Sequence, residues 1–392
     1  MLRLAVIFES SPFDRKGLFN AVHNRIRHLL ATGECEVDAF CIHSRDNAFT
    51  RRVRHTPDVP VVEKVDFDGV TYRMLWYRFS ITDHIMVNKL HRRPFFFSRF
   101  MERNIHLLEG YDCILAHSFA GAVFASEAAD RYGTPFFVTW HGSDTHTHPW
   151  RNPLILRGTR AMMQEARCNF YVSKALLGAS EKILSGVRKE VLYNGVSDAF
   201  ERYPDDKREQ LRKRYAVAPD EKVVAFAGSM SAVKNVGVLQ SVFHAIRAGY
   251  QGKLKFWMIG DGKLRSGVEK MMNADESIDV RFWGNIPSGD MPAMLNCVDL
   301  LLLPSLNEGL GMICAEAVRC GAGVIGSDVG GIPEVIGKDN VVALGDGFAG
   351  RMASKSIAML QTPAVQVLPS ELDWSSTAAK ELSAIRSVLD SE

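Results

Sequence analysis

Leu300-Leu-Leu-Leu-Pro-Ser-Leu-Asn-Glu308-Gly-Leu-Gly-Met-Ile-Cys-Ala-Glu316 runs on into Ala317-Val-Arg-Cys-Gly321-Ala-Gly-Val-Ile-Gly-Ser327-Asp-Val-Gly-Gly-Ile-Pro-Glu334. Four consecutive leucines suit a strand covered on both faces. Pro304 ends it, and a loop carrying Glu308 leads into a helix that opens around Gly309–Gly311. Backbone N–H groups at a helix start lack intrahelical acceptors and suit a phosphate, and glycines let a ligand come close to the chain. Glu316 follows about two turns beyond Glu308, on or near the same face. One carboxylate can then meet a ligand at the loop while the other accepts hydrogen bonds from hydroxyls further along. Taken singly, Glu308 reads more simply as a helix cap and Glu316 as a solvated face residue. Their combination with Pro-Ser, Glu-Gly-x-Gly and Ser-Asp-x-Gly-Gly-x-Pro-Glu is what points to a binding site.

The same alternation of strand and helix extends outward through the chain. Candidate strands in the first half are Leu2–Phe8, Glu36–Ile42, Cys113–His117, Phe136–Thr139 and Phe170–Val172. In the second half they are Val223–Ala227, Lys255–Ile259, Asp279–Phe282, Leu300–Leu303 and Gly323–Gly326. Helical periodicity falls between them, as in Phe19–Leu30, Ala120–Arg131 and Gly311–Val318. Such an order predicts doubly wound α/β units, restarting near residue 222. The charged stretch Asp198–Pro219 separates the two series, which puts a junction near residues 195–200. The expected division is 1–196, 197–370 and a terminal helix within 371–392. In open α/β sheets ligands sit at the carboxyl ends of strands, and two such domains facing each other would enclose one in a cleft.

A chain of 392 residues, 46% hydrophobic and 23% charged, has room for two or three domains with cores of their own. Its composition excludes collagen-like, disordered and disulfide-scaffold classes. The net charge of +2 gives no global pull toward nucleic acid or anionic membrane. The balance is uneven, since residues 1–195 carry 26 Lys and Arg against 20 Asp and Glu. Seven cysteines form no C-x-x-C pair, which favours a reducing cytoplasm over a disulfide or zinc framework. The opening Leu2-Arg-Leu-Ala-Val-Ile-Phe8 reads as a strand rather than a secretion signal. No apolar run reaches the roughly 18 residues needed to cross a bilayer. A cytoplasmic protein, with a peripheral place at the inner face of the membrane as its other option, is the expectation.

With these motifs together the sequence resembles the retaining glycosyltransferases of the GT-B superfamily, in the family-4 group that uses nucleotide sugars. The E-x7-E spacing stands as Glu308 and Glu316, followed by Ser327-Asp-Val-Gly-Gly-Ile-Pro-Glu334. Asn194-Gly-Val is similar to the family's Asn-Gly-Val-Asp, with Ser197 in place of the Asp. Val172-Ser-Lys, Ile259-Gly-Asp-Gly262, Phe282-Trp-Gly284 and Trp140-His141-Gly-Ser-Asp144 resemble further family signatures. The resemblance implies two Rossmann-like domains facing across a cleft, with the terminal helix crossing back to the first. It implies sugar transfer, with retention, from a UDP- or GDP-linked donor to a hydroxyl of a glycan, a lipid-linked glycan or a small acceptor. Polysaccharide biosynthesis is the family's habit, and no metal or other cofactor is implied.

Roles follow position by position from the same resemblance. Glu308 would contact hydroxyls of the donor sugar and Glu316 the nucleotide ribose. Amides of Gly309, Leu310, Gly311 and Met312 would hold the diphosphate. Lys234, in Ala232-Val-Lys-Asn, matches the lysine that neutralises the departing diphosphate, and such preorganised charge lowers the barrier. Gly17 matches one glycine of a Gly-Gly loop near the diphosphate. His141 would lie against the donor sugar, with Asp144 and His117 toward the acceptor. One departure stands out: Gly228-Ser229 occupies the place of the family's Gly-Arg, so a cationic phosphate clamp is missing at Ser229. Lys263 or Arg265 is expected to compensate; otherwise the protein is a non-catalytic or altered-donor relative.

Other readings are weaker. His141-x-x-Asp144-x-His146-x-His148 has metal-like spacing without a second ligand group. Asp66-Phe-Asp68 matches a manganese D-x-D, yet it sits where a hairpin turn is expected. An NAD-dependent oxidoreductase would need G-x-G-x-x-G after the first strand, which is missing. A two-domain sugar-binding protein is usually exported. Lys89-Leu-His-Arg-Arg-Pro-Phe-Phe-Phe-Ser-Arg-Phe100 mixes cations with aromatics. Either its phenylalanines pack into the core beneath the arginines, or the patch rests on an anionic membrane surface.

Overall fold

Strands with apolar side chains on both faces are stable only when helices cover both sides of their sheet, and this requirement shapes both halves of the protein. The computed structural model describes residues 1–13, 17–45, 59–78 and 80–390. They form two units, one of Met1–Gly195 with Trp374–Glu392, the other of Val196–Asp373.

In the first unit the strands are β1 (Leu2–Glu9), β2 (Cys35–Ser44), β3 (Lys64–Phe67), β4 (Val70–Tyr77), β5 (Cys113–His117), β6 (Phe136–Trp140), β7 (Cys168–Tyr171) and β8 (Lys189–Val191). Among the described residues they make one sheet in the order β3-β4-β2-β1-β5-β6-β7-β8. The β3–β4 hairpin is antiparallel, with Asp66 opposite Thr71, while β1 runs parallel to both β2 and β5. The direction of winding reverses between β1 and β5, so their carboxyl ends flank a switch point. Helix Gly17–Ala31 buries Phe19, Val22, Ile26 and Leu29 against this sheet. The terminal helix Trp374–Leu389 adds Ala378, Leu382, Ile385 and Val388 to the same core.

The second unit contains β9 (Glu221–Ala227), β10 (Lys253–Ile259), β11 (Val280–Gly284), β12 (Leu300–Leu303), β13 (Gly323–Ser327) and β14 (Val341–Val342). Their order is β11-β10-β9-β12-β13-β14, with parallel pairing throughout. Numbered within the unit this is 3-2-1-4-5-6, the dinucleotide-fold order, and its switch point lies between β9 and β12. Rings of Phe243 and Phe256 stack at 4.4 Å, and Trp257 meets Trp283 edge-on at 5.1 Å, filling the two faces of β10.

The charged stretch after the junction is not a bare linker. Asp205–Arg214 is a helix, opened by two aspartates and closed by Arg212, Lys213 and Arg214, charges that suit a helix dipole at each end. Two short strands, β8 and β14, were not anticipated. All seven cysteines are free and buried. Among the described residues no helix is long and apolar enough to cross a membrane.

Candidate functional site

The switch point of the second unit brings together two loops. After β9 the chain turns through Gly228-Ser229 to a 3₁₀ turn, Ala232–Lys234. After β12 it passes Pro304 and Ser305 to Glu308. Leu306 N–H donates to Val233 O (2.7 Å), which joins the loops. Lys234 Nζ then reaches Glu308 Oε2 at 2.5 Å, and Ser305 Oγ donates to that oxygen at 3.2 Å. Both charged side chains keep about a fifth of their surface open (20% and 17%), so the pair faces outward from a buried floor.

The glycines of the signature motifs have steric reasons. A Cβ on Gly330 (φ +52) would lie 1.8 Å from Glu308 O, so the Asp-Val-Gly-Gly turn seats directly on the Glu308 backbone. A Cβ on Gly260 would fall 2.0 Å from Gly228 O, which lets the Gly-Asp-Gly loop back the Ser229 loop. Met230 N–H donates to Asp261 O and Leu264 N–H to Met230 O, bracketing the position next to Ser229.

The helix after Glu308 spans Met312–Arg319, slightly later than its glycines suggest, because Gly311 is left-handed (φ 84) and serves as its cap. No side chain caps it, so its first N–H groups are open to a ligand. Gly309 and Leu310 are buried beneath this turn. Glu308 stands in the loop before the helix and Glu316 within it. The Glu316 carboxylate is half-buried without a hydrogen-bond partner among the described residues, and burial pushes it up to about 7. A carboxylate in that state gains from any hydroxyl that can donate to it.

Of the cations near Ser229, Arg265 is already held by Asp261 (3.2 Å) and Glu269 (3.4 Å). Lys263 is exposed and pairs with no carboxylate among the described residues. Ser229 itself is exposed, with Oγ 3.3 Å from Ser231 Oγ.

In the first unit, His117 closes β5 and His141 follows β6, and their rings meet with His117 Nδ1 3.1 Å from His141 Nε2. Burial, and next the positive charge of Arg25, hold both imidazoles neutral, His141 down to about 3. His117 Nε2 is buried without a partner among the described residues. An orphaned N–H is rarer in proteins than an idle acceptor. The arrangement therefore favours His117 Nδ1–H donating to His141, which leaves His141 Nδ1–H as the available donor. Asp144, expected to face a ligand, is instead turned onto the backbone: its carboxylate accepts from Gly142 N–H (2.9 Å) and His141 N–H (3.3 Å). It positions His141 rather than offering a free charge. Gly17 begins helix Gly17–Ala31, and a Cβ there would touch nothing within 4 Å among the described residues.

Two buried residues behind the histidines, Arg25 and Glu381, escaped sequence reading. Arg25, 1% exposed, donates to Thr139 Oγ1 (2.8 Å), Asn194 Oδ1 (3.3 Å) and Glu381 Oε1 (3.4 Å). The signal was present: Arg25 and Glu381 each stand in the apolar phase of an amphipathic helix, beside Val22 and Ile26 in one and Ala378 and Ile385 in the other.

The two metal-like patterns have other uses. Asp66 accepts from Thr71 Oγ1 (2.5 Å), and Asp68 pairs with Arg27 (3.1 Å) and His23 (3.4 Å) across the hairpin turn. His146 Nδ1 lies 2.8 Å from Thr147 Oγ1. Among the described residues no three His, Cys, Asp or Glu side chains are grouped to hold a metal ion.

Comparison with known proteins places both units. Residues 221–362 match the glycosyl transferases group 1 family, and residues 17–195 match the glycosyl transferase 4-like domain. The chain is 29% identical over 230 residues to a 2-deoxystreptamine glucosyltransferase of Streptomyces kanamyceticus, covering 54% of this chain and 57% of that one. It is 28% identical over 204 residues to the N-acetyl-alpha-D-glucosaminyl L-malate synthase of Bacillus anthracis, covering 51% of each. The matched segments thus span little more than half the length of these relatives. Among solved structures, a sucrose-phosphate synthase from Thermosynechococcus elongatus superposes with a TM-score of 0.72 at 16% identity, covering 100% of this chain and 94% of that one. Anabaena HepE, solved in complex with UDP and glucose, gives 0.67 at 15% identity, covering 100% and 98%. At such identities the structural likeness is one of fold, the GT-B fold. The two family matches together take in most of both units, and the chain belongs to the group 1 glycosyltransferases.

Proposed function

We propose that the protein transfers a sugar, with retention, from a nucleoside-diphosphate sugar to a hydroxyl of a glycan, a lipid-linked glycan or a small acceptor. The second unit would bind the donor and the first would present the acceptor. The observation that carries this reading is the Lys234–Glu308 pair at the switch point, beside an uncapped helix start and the unpartnered Glu316. As the glycosidic bond breaks, the leaving diphosphate gathers negative charge. Lys234 and the N–H groups before and within the Met312 turn would stabilise that charge without reorganising. Glu308 would hold donor-sugar hydroxyls, and Glu316 would accept from the ribose. His141 Nδ1–H would donate to the sugar. No metal ion or cofactor is invoked. Lys263, the unpaired cation beside the Ser229 loop, would supply part of the charge that the family arginine provides elsewhere.

The first experiment measures thermal shifts with UDP, GDP, ADP and NAD⁺, with and without magnesium. One nucleoside diphosphate is expected to raise Tm by roughly 5 °C at a hundredfold excess over Kd, independently of magnesium. Uridine is the first choice, because a structural neighbour holds UDP. Lys263→Ala should reduce the shift more than Arg265→Ala. A shift with NAD⁺ alone would overturn the reading. No shift with any nucleotide would leave Ser229 as the decisive residue and favour a non-catalytic or altered-donor relative.

Glu316 offers a second test, in which stability and binding move in opposite directions. Below pH 4.5 its carboxyl is protonated whether the chain is folded or not. Between 4.5 and about 7 the unfolded chain ionises while the folded one keeps its proton, so stability falls across that window and the full cost stands above it. Glu316→Gln carries no charge to desolvate. It is expected to stabilise the protein by about 1–3 kcal/mol at pH 8 and not at pH 4. Nucleotide affinity should fall about tenfold, since one amide oxygen replaces two carboxylate oxygens. Unchanged affinity would remove Glu316 from the ribose site.

A further inference from the structure

The basic and aromatic segment of the first unit divides between core and surface. In helix Phe95–Asn104, Phe97 and Phe100 turn inward onto Phe124 (6.0 and 5.6 Å) and Tyr77 (5.3 and 5.6 Å), and Met101 is buried. Phe95 and Phe96 face outward, 50% and 46% exposed. Leu90, in the turn before them, is 58% exposed, and Ile85 on helix Ile81–Asn88 is 46% exposed.

A second stretch of chain joins this surface. Asn152 Nδ2 donates to Val87 O (3.1 Å), its Oδ1 lies 3.2 Å from His91 Nδ1, and Arg157 Nη2 donates to His91 O (3.4 Å). These bonds tie the segment carrying Trp150, two residues before Asn152 and 51% exposed, to the chain just before Phe95. Single exposed apolar residues are ordinary, but four large ones between residues 85 and 96, with Trp150 in a segment bonded to that stretch, are not.

The charges on this face have one sign. Lys89, Arg92, Arg93, Arg103 and Arg151 are exposed, and none pairs with a carboxylate among the described residues. Between residues 85 and 103 Glu102 is the one acidic residue, and there is none between 148 and 157. The Arg99 guanidinium lies 5.5 Å over the Phe95 ring.

This composition selects among partners. A protein partner would have to bring a carboxylate to each of these cations, because interface centres that enrich arginine and aromatics are otherwise depleted in charge. Nucleic acid would use the arginines and stack on the aromatics, but it gives the aliphatic Ile85 and Leu90 no task. An anionic bilayer uses all of them: apolar side chains enter the acyl boundary while cations stay with the phosphates.

We propose that the surface around Leu90, Phe95, Phe96 and Trp150, with the unpaired Arg92 and Arg93, docks the protein on an anionic lipid bilayer. It draws on the proposed function only for its consequence, an acceptor carried by lipid coming within reach of the unit that would present it. Binding is read without donor or turnover, so failure of either idea leaves the other standing.

The test is co-sedimentation of the full chain with vesicles of phosphatidylcholine and phosphatidylglycerol (7:3) and with phosphatidylcholine alone. Wild type is expected on the anionic vesicles and in the supernatant of the neutral ones. Each Lys or Arg near such a surface contributes roughly fivefold, so R92E/R93E should lower the partition coefficient at least tenfold. F95S/F96S/W150S should lower it by a similar factor, with Tm within a few degrees of wild type in both variants. Wild type that stays off anionic vesicles, or variants that bind as wild type does, would overturn the proposal. So would a wild-type dimer that the triple variant converts to monomer without vesicle binding by either, and so would binding to poly(U) in place of vesicles.

Discussion

Lys234→Ala is expected to lower turnover of the sugar donor about a thousandfold and to weaken nucleoside-diphosphate binding about a hundredfold. Two effects combine. The cation that would meet the diphosphate is gone, and Glu308, which Lys234 neutralises at 2.5 Å, is left as a bare anion facing another. With Ser229 in the Gly228–Lys234 loop, no second cation there shares the work. Glu308→Gln behaves differently, because it preserves shape, removes the charge and releases Lys234 for the phosphate. Its nucleotide affinity should stay within about threefold of wild type or improve, while turnover falls about a hundredfold. The double variant K234A/E308Q is the decisive one. Relief of the anion–anion contact should make its cost smaller than the two single costs together, by about 1–3 kcal/mol. Titration calorimetry and single-turnover kinetics on the four proteins would measure it. Strict additivity would mean that the ion pair is incidental to donor binding, and full activity in Glu308→Gln would remove Glu308 from the mechanism.

The loops at the switch point of the second unit were legible because their residues lie within short stretches whose local chemistry is distinctive. A run of leucines ended by Pro304, glycines at 309 and 311, and two glutamates eight residues apart announce strand, loop and helix in order. The helix start was placed slightly early because glycine was read as the first turn, whereas Gly311 takes a left-handed conformation that no helix interior allows. The strands β8 and β14, three and two residues long, leave no periodicity to detect. Asp144 shows a different limit of the sequence. A carboxylate after a strand end looks the same in sequence whether it meets a ligand or satisfies two backbone N–H groups. The surface patch was visible as composition, but which phenylalanines turn inward depends on Phe124 and Tyr77, and no spacing rule contains those partners. Arg25 and Glu381 lie 356 residues apart, and only folding brings them together.

That pair supports the second large prediction. Arg25→Met should destabilise the first unit by about 3–5 kcal/mol, because it leaves Glu381, fully buried, as an uncompensated charge. Tm should fall by roughly 10 °C, a shift that calorimetry resolves. Glu381→Leu should cost a similar amount by orphaning the guanidinium. The pair is not, however, a net source of stability. Burial outweighs the pull of Arg25 and raises the Glu381 carboxyl above its ordinary 4.5, so the folded state resists ionising it. The contribution of this group to stability therefore declines as pH rises from 4.5 toward that raised value. Removing both charges removes this cost. Arg25→Met/Glu381→Leu is expected to lie within about 1–2 kcal/mol of wild type, the remainder reflecting Thr139 and Asn194, which lose their donor. If the double variant retained the stability of the apolar pair yet lost activity, the charges would be serving the neighbouring His117–His141 pair rather than the fold. If it were as unstable as either single variant, the ion pair itself would be what seats the terminal helix on the first unit.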